Sequence, residues 1–344
     1  MTLPTTDWPP EGLETLGACP DCAAKERSLL HDGLTDLAFG SAPGRWMLWR
    51  CTDCGSAYLD PRPDAAHIGL AYSAYYTHAG NALGGEARGL KPWARKALAN
   101  AYVNARFGGS QTPALPFGAA VLQALPAQRL ALDYRYRHIR RLPKAGGRLL
   151  DVGCGNGNFL RLAQAIGWQA EGVEPDPSAV AAARASGLDV RQGGIELLEG
   201  ISAAYDQLTL SHVIEHVHDP LALLNACCRL LKPGGMLYLE TPNIDANGHS
   251  RFGAAWRGLE VPRHLLLFSH RALHGMLARA GFDRSEDLRG VDPSPLLDAE
   301  SEAMARRADP PIALGPAGVL VRGGLDRQNP QHREFHTVAA WRSR

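Results

Sequence analysis

The sequence predicts an α/β protein with a doubly wound sheet of parallel strands, preceded by a small cysteine-rich module. Three observations support this prediction. From Arg148 onwards, short apolar segments alternate with helical segments of about 10 to 15 residues, as in parallel sheets covered on both faces by helices. The first apolar segment runs directly into "DVGCGNG", residues 151–157, where glycines stand at alternate positions. Before residue 55, four cysteines form two Cys-x-x-Cys pairs.

The chain divides into three predicted parts. Residues 1–63 are rich in Pro, Gly and Cys, which indicates a small module held together by a metal ion. Residues 64–146 are rich in alanine and helical in pattern, which predicts a helical connector or lid. Residues 147–344 hold the alternating strands and helices and end in the strand-like "FHTVAAWR".

Charge and apolar content limit the partners. The 36 basic and 35 acidic residues give a net charge of +1, whereas proteins that bind phosphate backbones usually carry a basic excess. This balance argues against DNA and RNA. No segment approaches the roughly 20 apolar residues that span a bilayer, and the first residues lack a signal-peptide pattern. We therefore expect a cytoplasmic protein, and the sequence leaves open whether it forms a homodimer.

The glycine turn and the acid that follows it predict a nucleoside ligand. Ligands bind at the carboxyl ends of parallel strands, where glycines let the backbone approach them closely. The turn has neither the Lys-Ser/Thr of a P-loop nor the G-x-G-x-x-G spacing of dinucleotide sites. The segment "GVEPD" ends the second strand with Glu174, which is placed to accept hydrogen bonds from both hydroxyls of a ribose.

Residues 146–285 resemble the class I S-adenosylmethionine-dependent methyltransferases. The resemblance rests on "LLDVGCGNG", "GVEPD", "YDQLTLSHVIEHVHDP" and "LLKPGGMLYLETPN". It implies a seven-stranded Rossmann-like sheet with strand order 3-2-1-4-5-7-6, and S-adenosylmethionine as cofactor. The implied cofactor residues are Asp151, Gly153, Gly155 and Gly157 around the methionine part, Glu174 at the ribose, Gly194 and Ile195 at the adenine, and Ser211, His212 and Val213 as the floor.

The segment "HVIEH", residues 212–216, allows three interpretations. It spells the inverzincin pattern of zinc hydrolases, but it follows a strand directly and lacks room for the regular helix which that pattern needs. Similar segments occur in ubiquinone-type O-methyltransferases, where an acid replaces His212 and the Glu-His pair can hold a divalent cation. His212 argues against Mg²⁺, which prefers oxygen ligands. The third interpretation is a buried, hydrogen-bonded His216 with Glu215 capping a loop, so metal binding here stays open.

The segment "VPRHLLLF" supplies the leading candidate for a catalytic base. In methyltransferases of this type, this region builds the acceptor side of the pocket, and neutral imidazole is suited to proton transfer near pH 7. We therefore predict that His264 is the base, with His216 and Glu215 as further catalytic candidates. The alternative is a loop histidine bonded to the backbone. Ser269 is expected to cap the following helix.

The two cysteine pairs, "CPDC" and "CTDC", predict a metal site made of Cys19, Cys22, Cys51 and Cys54. Four thiolates complete the tetrahedral shell of Zn²⁺ and leave no open position, so we expect a structural zinc ribbon. A redox role for either pair is the alternative. The stretch "CGSAYLDPRP" resembles the amino-terminal zinc-binding module of bacterial methyltransferases in sugar, glycan and natural-product pathways.

Two further stretches have open alternatives. Three tyrosines share a helical face and either pack or line a substrate pocket: Tyr72, Tyr75 and Tyr76. The run "YRYRHIRRLPK", residues 134–144, is either a surface for RNA or membranes or a solvated helix face. We expect the solvated face, with its apolar members turned inward, namely Leu132, Tyr136 and Ile139.

These observations predict methyl transfer from S-adenosylmethionine to a small-molecule acceptor. The amino-terminal resemblance favours a sugar or glycan precursor or a natural-product intermediate, and leaves transfer to carbon or to oxygen open. One alternative is an rRNA methyltransferase whose zinc ribbon recognises RNA. The other is a scaffold of the same fold that performs no catalysis.

Overall fold

The computed structural model describes residues 7–72, 90–314 and 329–343. Its strands are, in chain order, β1 (Leu13–Glu14), β2 (Arg27–Leu34), β3 (Trp46–Cys51), β4 (Ala57–Leu59), β5 (Arg62–Pro63), β6 (Arg148–Val152), β7 (Gln169–Glu174), β8 (Asp189–Gln192), β9 (Tyr205–Ser211), β10 (Leu231–Pro242), β11 (Leu266–Leu267), β12 (Phe282–Asp287) and β13 (Phe335–Arg342). Its α-helices are α1 (Leu90–Phe107), α2 (Gly118–Gln123), α3 (Pro126–Arg135), α4 (Asn158–Ala165), α5 (Pro177–Ala185), α6 (Pro220–Leu230), α7 (Asn247–Phe252), α8 (His270–Arg279) and α9 (Ser294–Arg307).

Seven strands form the central sheet, in the spatial order β12-β13-β10-β9-β6-β7-β8. Numbered along the chain within this sheet, that order is 6-7-5-4-1-2-3, which is the predicted order read from its other edge. The strands β6 to β10 are parallel, whereas β13 runs antiparallel to both of its neighbours. The predicted Rossmann-like sheet is therefore confirmed, and β13 makes it mixed rather than wholly parallel.

Helices cover both faces of the central sheet. Leu149 of β6 lies in an apolar cluster with side chains of α4 and α5. The next residue, Leu150, points to the opposite face and lies in a second cluster with side chains of α6 and α8. Burial on both faces explains why these strands appear in the sequence as unbroken apolar runs. The covered faces leave the carboxyl edge of the sheet as the place where a ligand can enter.

The amino-terminal module is continuous with the rest of the protein. Strands β2, β3 and β4 form a four-stranded sheet whose fourth member is β11, from far along the chain. An apolar cluster also joins Trp46 and Leu48 of β3 to Trp256 and Leu265. Residues 1–63 and 147–344 thus share a sheet and a core among the residues described. The three-part division stays a prediction about how the chain is organised.

The region predicted as a connector contains α1, α2 and α3. Phe107 at the end of α1 is fully buried, and its ring centre lies 5.1 Å from that of Tyr136. Tyr136 and Ile139 are buried in the cluster that covers α4, and Leu132 packs against it, as predicted. None of the helices described here is both long and apolar enough to cross a membrane.

Candidate functional site

The glycine loop, residues 153–157, joins β6 to α4 at the carboxyl edge of the sheet. Its glycines have positive φ angles of +71°, +54° and +76°, a backbone conformation that favours glycine. A Cβ on Gly153 would lie 2.5 Å from Val213, and one on Gly157 would lie 2.2 Å from Leu188. A Cβ on Gly155 would meet no described atom within 4 Å. Internal packing therefore accounts for two of these glycines, and Gly155 is the one that borders open space.

Glu174 ends β7 and lies against the glycine loop. Its Oε2 accepts a hydrogen bond from the Gly155 N–H at 2.8 Å, and its Oε1 accepts one from Asp176 N–H at 3.0 Å. Its carbonyl oxygen accepts from Gly193 N–H at 2.9 Å, which brings the end of β8 alongside. Each carboxylate oxygen keeps a second lone pair, so Glu174 can still accept hydrogen bonds from hydroxyl groups of a ligand.

The remaining residues predicted around the cofactor follow β8 and β9. Gly194 and Ile195 begin a single 3₁₀ turn after β8. Ser211 is the last residue of β9, in register with Glu240 on β10. Because parallel strands end at the same edge of a sheet, the fold brings Gly155, Glu174, Gly194 and Ser211 to that edge.

Asp151 lies beneath the glycine loop and is fully buried. One of its oxygens accepts a hydrogen bond from Thr209 Oγ1 at 2.7 Å and pairs with Arg137. The other oxygen has no hydrogen-bond partner among the described residues. Burial raises the pKa of the Asp151 carboxyl, against the opposing effect of Arg137. Asp151 therefore has one oxygen committed to the protein and one without a partner.

Arg137 is a site residue that the sequence did not reveal. Sequence reasoning placed it on a solvated helix face, but its guanidinium pairs with Asp151 and lies 4.2 Å from the centre of the Phe159 ring. Tyr134 of the same run donates a hydrogen bond to Glu240 at 3.0 Å. The solvated-face expectation is therefore wrong for these two side chains. Nothing in their spacing signals contacts that join distant parts of the chain.

His212 is a cation held between two buried carboxylates. Its Nδ1 lies 3.3 Å from Glu215 Oε1, and its Nε2 lies 3.3 Å from Glu240 Oε1. Burial disfavours the charge, but the two carboxylates of Glu215 and Glu240 close to the ring outweigh it and raise the pKa of His212 to about 10. Its φ of +55° is unusual for a residue other than glycine. The positive charge at neutral pH opposes a role for His212 as a metal ligand.

Three catalytic candidates meet at one cluster, which we call the His264 cluster: Glu215, His216 and His264. Their ligand atoms all lie within 4.8 Å of one another. Residues Ile214–His216 form one 3₁₀ turn, so the helix that the zinc-hydrolase pattern needs is absent from this segment. Glu215 Oε2 accepts a hydrogen bond from Thr241 at 2.9 Å. The rings of His216 and His264 meet edge to face, with centres 4.7 Å apart.

Backbone carbonyls fix the tautomers of both histidines. His264 Nδ1 lies 2.8 Å from the Gly258 carbonyl, and His216 Nδ1 lies 3.1 Å from the Arg263 carbonyl. Since a carbonyl only accepts, each Nδ1 carries a proton, so a lone pair, where the ring has one, lies at Nε2. Burial lowers the pKa of His264 to about 4, so this ring is neutral near pH 7. The cluster can accept a proton or hold a divalent cation.

Tyr72 also reaches the His264 cluster. Its hydroxyl lies 3.0 Å from His216 Nδ1, which connects the end of the amino-terminal region to the site. The other two members of the predicted tyrosine face, Tyr75 and Tyr76, lie outside the described residues.

The four cysteines converge at the tip of the amino-terminal sheet. The Sγ atoms of Cys19 and Cys54 are 3.6 Å apart, those of Cys22 and Cys51 are 3.5 Å apart, and all four lie within 4.8 Å of one another. Zn–S bonds of about 2.3 Å in a tetrahedron place sulfur atoms about 3.8 Å apart. This cluster therefore fits a Zn²⁺ ion with four thiolate ligands.

Comparison with known protein families identifies one matching domain type in this chain. Residues 127–285 match the family model described as a methyltransferase domain. Residues 127–285 form a methyltransferase domain. The stretch runs from α3 to β12 and contains the glycine loop, Glu174 and the His264 cluster, whereas β13 lies beyond it.

Curated relatives match this chain over part of their length. A ubiquinone biosynthesis O-methyltransferase of Xanthomonas oryzae pv. oryzae is 41% identical over 110 residues, which cover 30% of this chain and 46% of that protein. The protein of the same description from Xylella fastidiosa is 38% identical over 111 residues, covering 30% and 45%. The chain thus matches less than half the length of these relatives.

Solved structures are similar to this chain at lower sequence identity. A SAM-dependent methyltransferase from Thermotoga maritima, described as a possible histamine N-methyltransferase, is 19% identical. The alignment covers 66% of this chain and 97% of that one, with a TM-score of 0.42.

Proposed function

We propose that the chain transfers a methyl group from S-adenosylmethionine to a small-molecule acceptor. The observation that carries this proposal is the pairing of Gly155 and Glu174 at the carboxyl edge of β6 and β7. Gly155 offers bare backbone to open space, and Glu174 binds its N–H while keeping lone pairs for the hydroxyls of a ribose. A cofactor made of a nucleoside and an amino acid fits such a site.

In the proposed cofactor site, the methionine part, the ribose and the adenine each lie at the end of a different strand. Asp151 and the glycine loop surround the methionine part, and Glu174 binds the ribose. The adenine lies between Gly194 and Ile195, and residues 211–213 form the floor. Arg137 lies beside Asp151 and can steady this acid without contacting the ligand.

The proposed chemistry is alignment of the acceptor and removal of its proton. A sulfonium methyl is already electrophilic, so the protein has to place the acceptor in line with the S–CH₃ bond. His264 is the proposed base because its Nε2 presents a lone pair near pH 7, and its pKa of about 4 makes it a weaker base than an ordinary imidazole. His216 and the ionised Glu215 complete the cluster. A divalent cation held by these three groups would instead polarise the acceptor oxygen.

The acceptor class rests on two resemblances. The relatives described as ubiquinone biosynthesis O-methyltransferases favour transfer to oxygen. The amino-terminal stretch "CGSAYLDPRP" favours a sugar or glycan precursor or a natural-product intermediate. We propose Zn²⁺ at the four cysteines, in a closed and structural site.

Calorimetry with S-adenosylmethionine tests the proposal. Glu174→Ala should weaken binding by about 1.5–3 kcal/mol, or about 10- to 150-fold, the range for a hydrogen bond to a charged group. Glu171→Ala is the matched control, since Glu171 lies on the same strand and pairs with Arg148 and Arg191 instead. Equal affinity in wild type and Glu174→Ala would contradict the proposed site.

Activity measurements separate the proposed function from its alternatives. Transfer of a labelled methyl group to a panel of hydroxylated small molecules supports an acceptor of that class. Binding of the cofactor with no transfer to any acceptor would favour the non-catalytic scaffold. Salt-dependent binding and methylation of RNA would favour the rRNA methyltransferase.

A further inference from the structure

A second group of metal-ligating side chains lies on the surface, away from the four cysteines and from the His264 cluster. His270 and His274 stand four residues apart on α8, so their side chains share one face of the helix. Asp287, the last residue of β12, faces both of them. We call these residues the α8–β12 cluster. Their ligand atoms all lie within 4.8 Å of one another.

Both imidazoles direct the same nitrogen at one carboxylate. His270 Nε2 lies 2.9 Å from Asp287 Oδ2, and His274 Nε2 lies 3.3 Å from Asp287 Oδ1. Metal–nitrogen and metal–oxygen bonds of about 2.0–2.2 Å in a tetrahedron place ligand atoms about 3.3–3.6 Å apart. The two His–Asp separations lie at or below these values, and all three ligand atoms lie within 4.8 Å of one another, so side-chain rotation can place them around one ion.

A neighbouring hydroxyl prepares one of the ligands. Ser285 lies two residues before Asp287 on β12, and its Oγ lies 2.6 Å from His274 Nδ1. When Nε2 exchanges its proton for a metal ion, this hydroxyl can accept a hydrogen bond from Nδ1–H and hold the ring in place. Metal-binding histidines almost always have such an outer partner, and losing it typically lowers affinity about 10- to 100-fold.

A third histidine, His336, borders the α8–β12 cluster. Its ring centre lies 5.9 Å from that of His270, and it is buried. Its Nε2 lies 3.0 Å from the Phe268 carbonyl, and its Nδ1 has no hydrogen-bond partner among the described residues. Imidazole-rich surroundings suit Zn²⁺, Ni²⁺ or Cu²⁺ better than Mg²⁺ or Ca²⁺, which prefer oxygen ligands.

We propose that His270, His274 and Asp287 form a second metal site, which takes a divalent transition-metal ion and clamps α8 to the end of β12. The three side chains are between 21% and 26% exposed, so an ion can reach them from solvent while water completes its shell. The site is independent of the methyl transfer proposed above. The metal ion binds only the folded protein, because its ligands come from a helix and a strand that meet on folding. Binding of the ion therefore stabilises the fold.

Titration of Co²⁺ into the full chain, with its cysteine site loaded with zinc, tests this proposal. We expect one additional equivalent that lacks the intense thiolate-to-cobalt absorption, because its ligands are nitrogen and oxygen. His274→Ala and Asp287→Ala should each weaken this equivalent at least tenfold, and Ser285→Ala about tenfold. The melting temperature of wild type should rise with Co²⁺, and that of His274→Ala should not.

Two controls keep the test specific. In the first control, His67→Ala removes a histidine that pairs with Asp64 at 2.8 Å. Only one imidazole faces that carboxylate, so the His67→Ala variant should bind the additional ion as wild type does. His216→Ala disables the His264 cluster and should also leave the ion bound. No additional equivalent, or one that is lost in His216→Ala and kept in His274→Ala, would overturn the proposal. Circular dichroism of each variant establishes that it is folded.

Discussion

The glycines at the carboxyl edge of the sheet serve two different purposes, internal packing and space for a ligand. Three glycines at alternate positions look equivalent in the sequence, yet two are required by Val213 and Leu188 and one borders open space. Gly155 also donates its N–H to Glu174, so the loop and the acid form one unit. A side chain at this position therefore interferes with a ligand rather than with the core.

Gly155→Val should abolish binding of S-adenosylmethionine by filling that space. The φ of +54° adds backbone strain of about 1–2 kcal/mol, which lowers stability as well. Gly187→Val is the matched control, because Gly187 has a φ of +77° and open space around its Cβ position, and precedes β8 at the opposite edge. Calorimetry should find lost affinity in the first variant only. Lost affinity in both would indicate that strain, rather than occupied space, is the cause.

His264→Ala tests the proposed base. We expect kcat on the true acceptor to fall about 10²- to 10⁴-fold, the usual range for general acid–base catalysis, with cofactor affinity within a few-fold of wild type. His218→Ala, in the same loop region as His216, should keep its rate. If kcat survives in His264→Ala, His264 has a structural role and the base is His216 or Glu215. Restoration of the rate by added Mg²⁺ or Mn²⁺ after chelation would point to a cation in the cluster instead.

At the scale of elements, α8 contacts the amino-terminal module at both of its ends. Ser269 caps this helix, as predicted, by accepting a hydrogen bond from Ala272 N–H at 3.2 Å. The same hydroxyl donates to the Cys54 carbonyl at 2.7 Å. At the other end of α8, Arg279 pairs with Asp21 in the first cysteine knuckle. Both cysteine knuckles therefore contact α8, a helix that packs in the central core.

Cys51→Ser should remove one tightly held zinc ion and lower the melting temperature of the whole chain. Zinc binding is worth about 10–16 kcal/mol in zinc-finger peptides, which is comparable to the total stability of a domain. Cys228→Ser is the control, because Cys228 lies outside the cysteine cluster. Metal analysis and differential scanning calorimetry measure both effects. One zinc ion per chain in Cys51→Ser, or none in wild type purified without chelators, would contradict the predicted ribbon.

At the scale of the whole molecule, a histidine pair joins the amino-terminal sheet to α7. His31 of β2 and His249 of α7 lie with their Nε2 atoms 2.9 Å apart. Burial lowers the pKa of both, and the neighbouring His31 helps to bring that of His249 to about 4. With one proton between them, the two Nε2 atoms form a hydrogen bond. When both rings are protonated, the two imidazolium groups repel each other.

Stability should therefore fall in mild acid. The pKa of His249 is lower in the folded state than its usual value of about 6.5, so the unfolded state binds more protons between these values. The contribution of neutral His249 to folding stability is complete above about pH 6.5 and is lost as the pH falls through about 4. Each tenfold difference in proton affinity between the folded and unfolded states is worth about 1.4 kcal/mol. Urea unfolding at several pH values should show a smaller decline in His249→Gln than in wild type or His67→Gln. Equal declines in all three would contradict this account.

The sequence by itself determined the parts of this protein that depend on neighbours along the chain. Alternation of apolar runs and helices predicted the sheet, because burial on both faces leaves a continuous apolar signal in each strand. The spacing of Cys19, Cys22, Cys51 and Cys54 predicted the thiolate cluster, and the sequence also placed Gly155 and Glu174 at strand ends. Strand order came from resemblance to the methyltransferases.

Only the tertiary structure decided which distant side chains meet. Arg137 pairs with Asp151, β11 joins the amino-terminal sheet, and His212 lies between Glu215 and Glu240. None of these contacts has a characteristic spacing, since a buried charge needs an opposite charge or a hydrogen bond at whatever point the fold brings one close. Sequence periodicity records which face of an element is buried. The identity of its partners is settled when the elements pack.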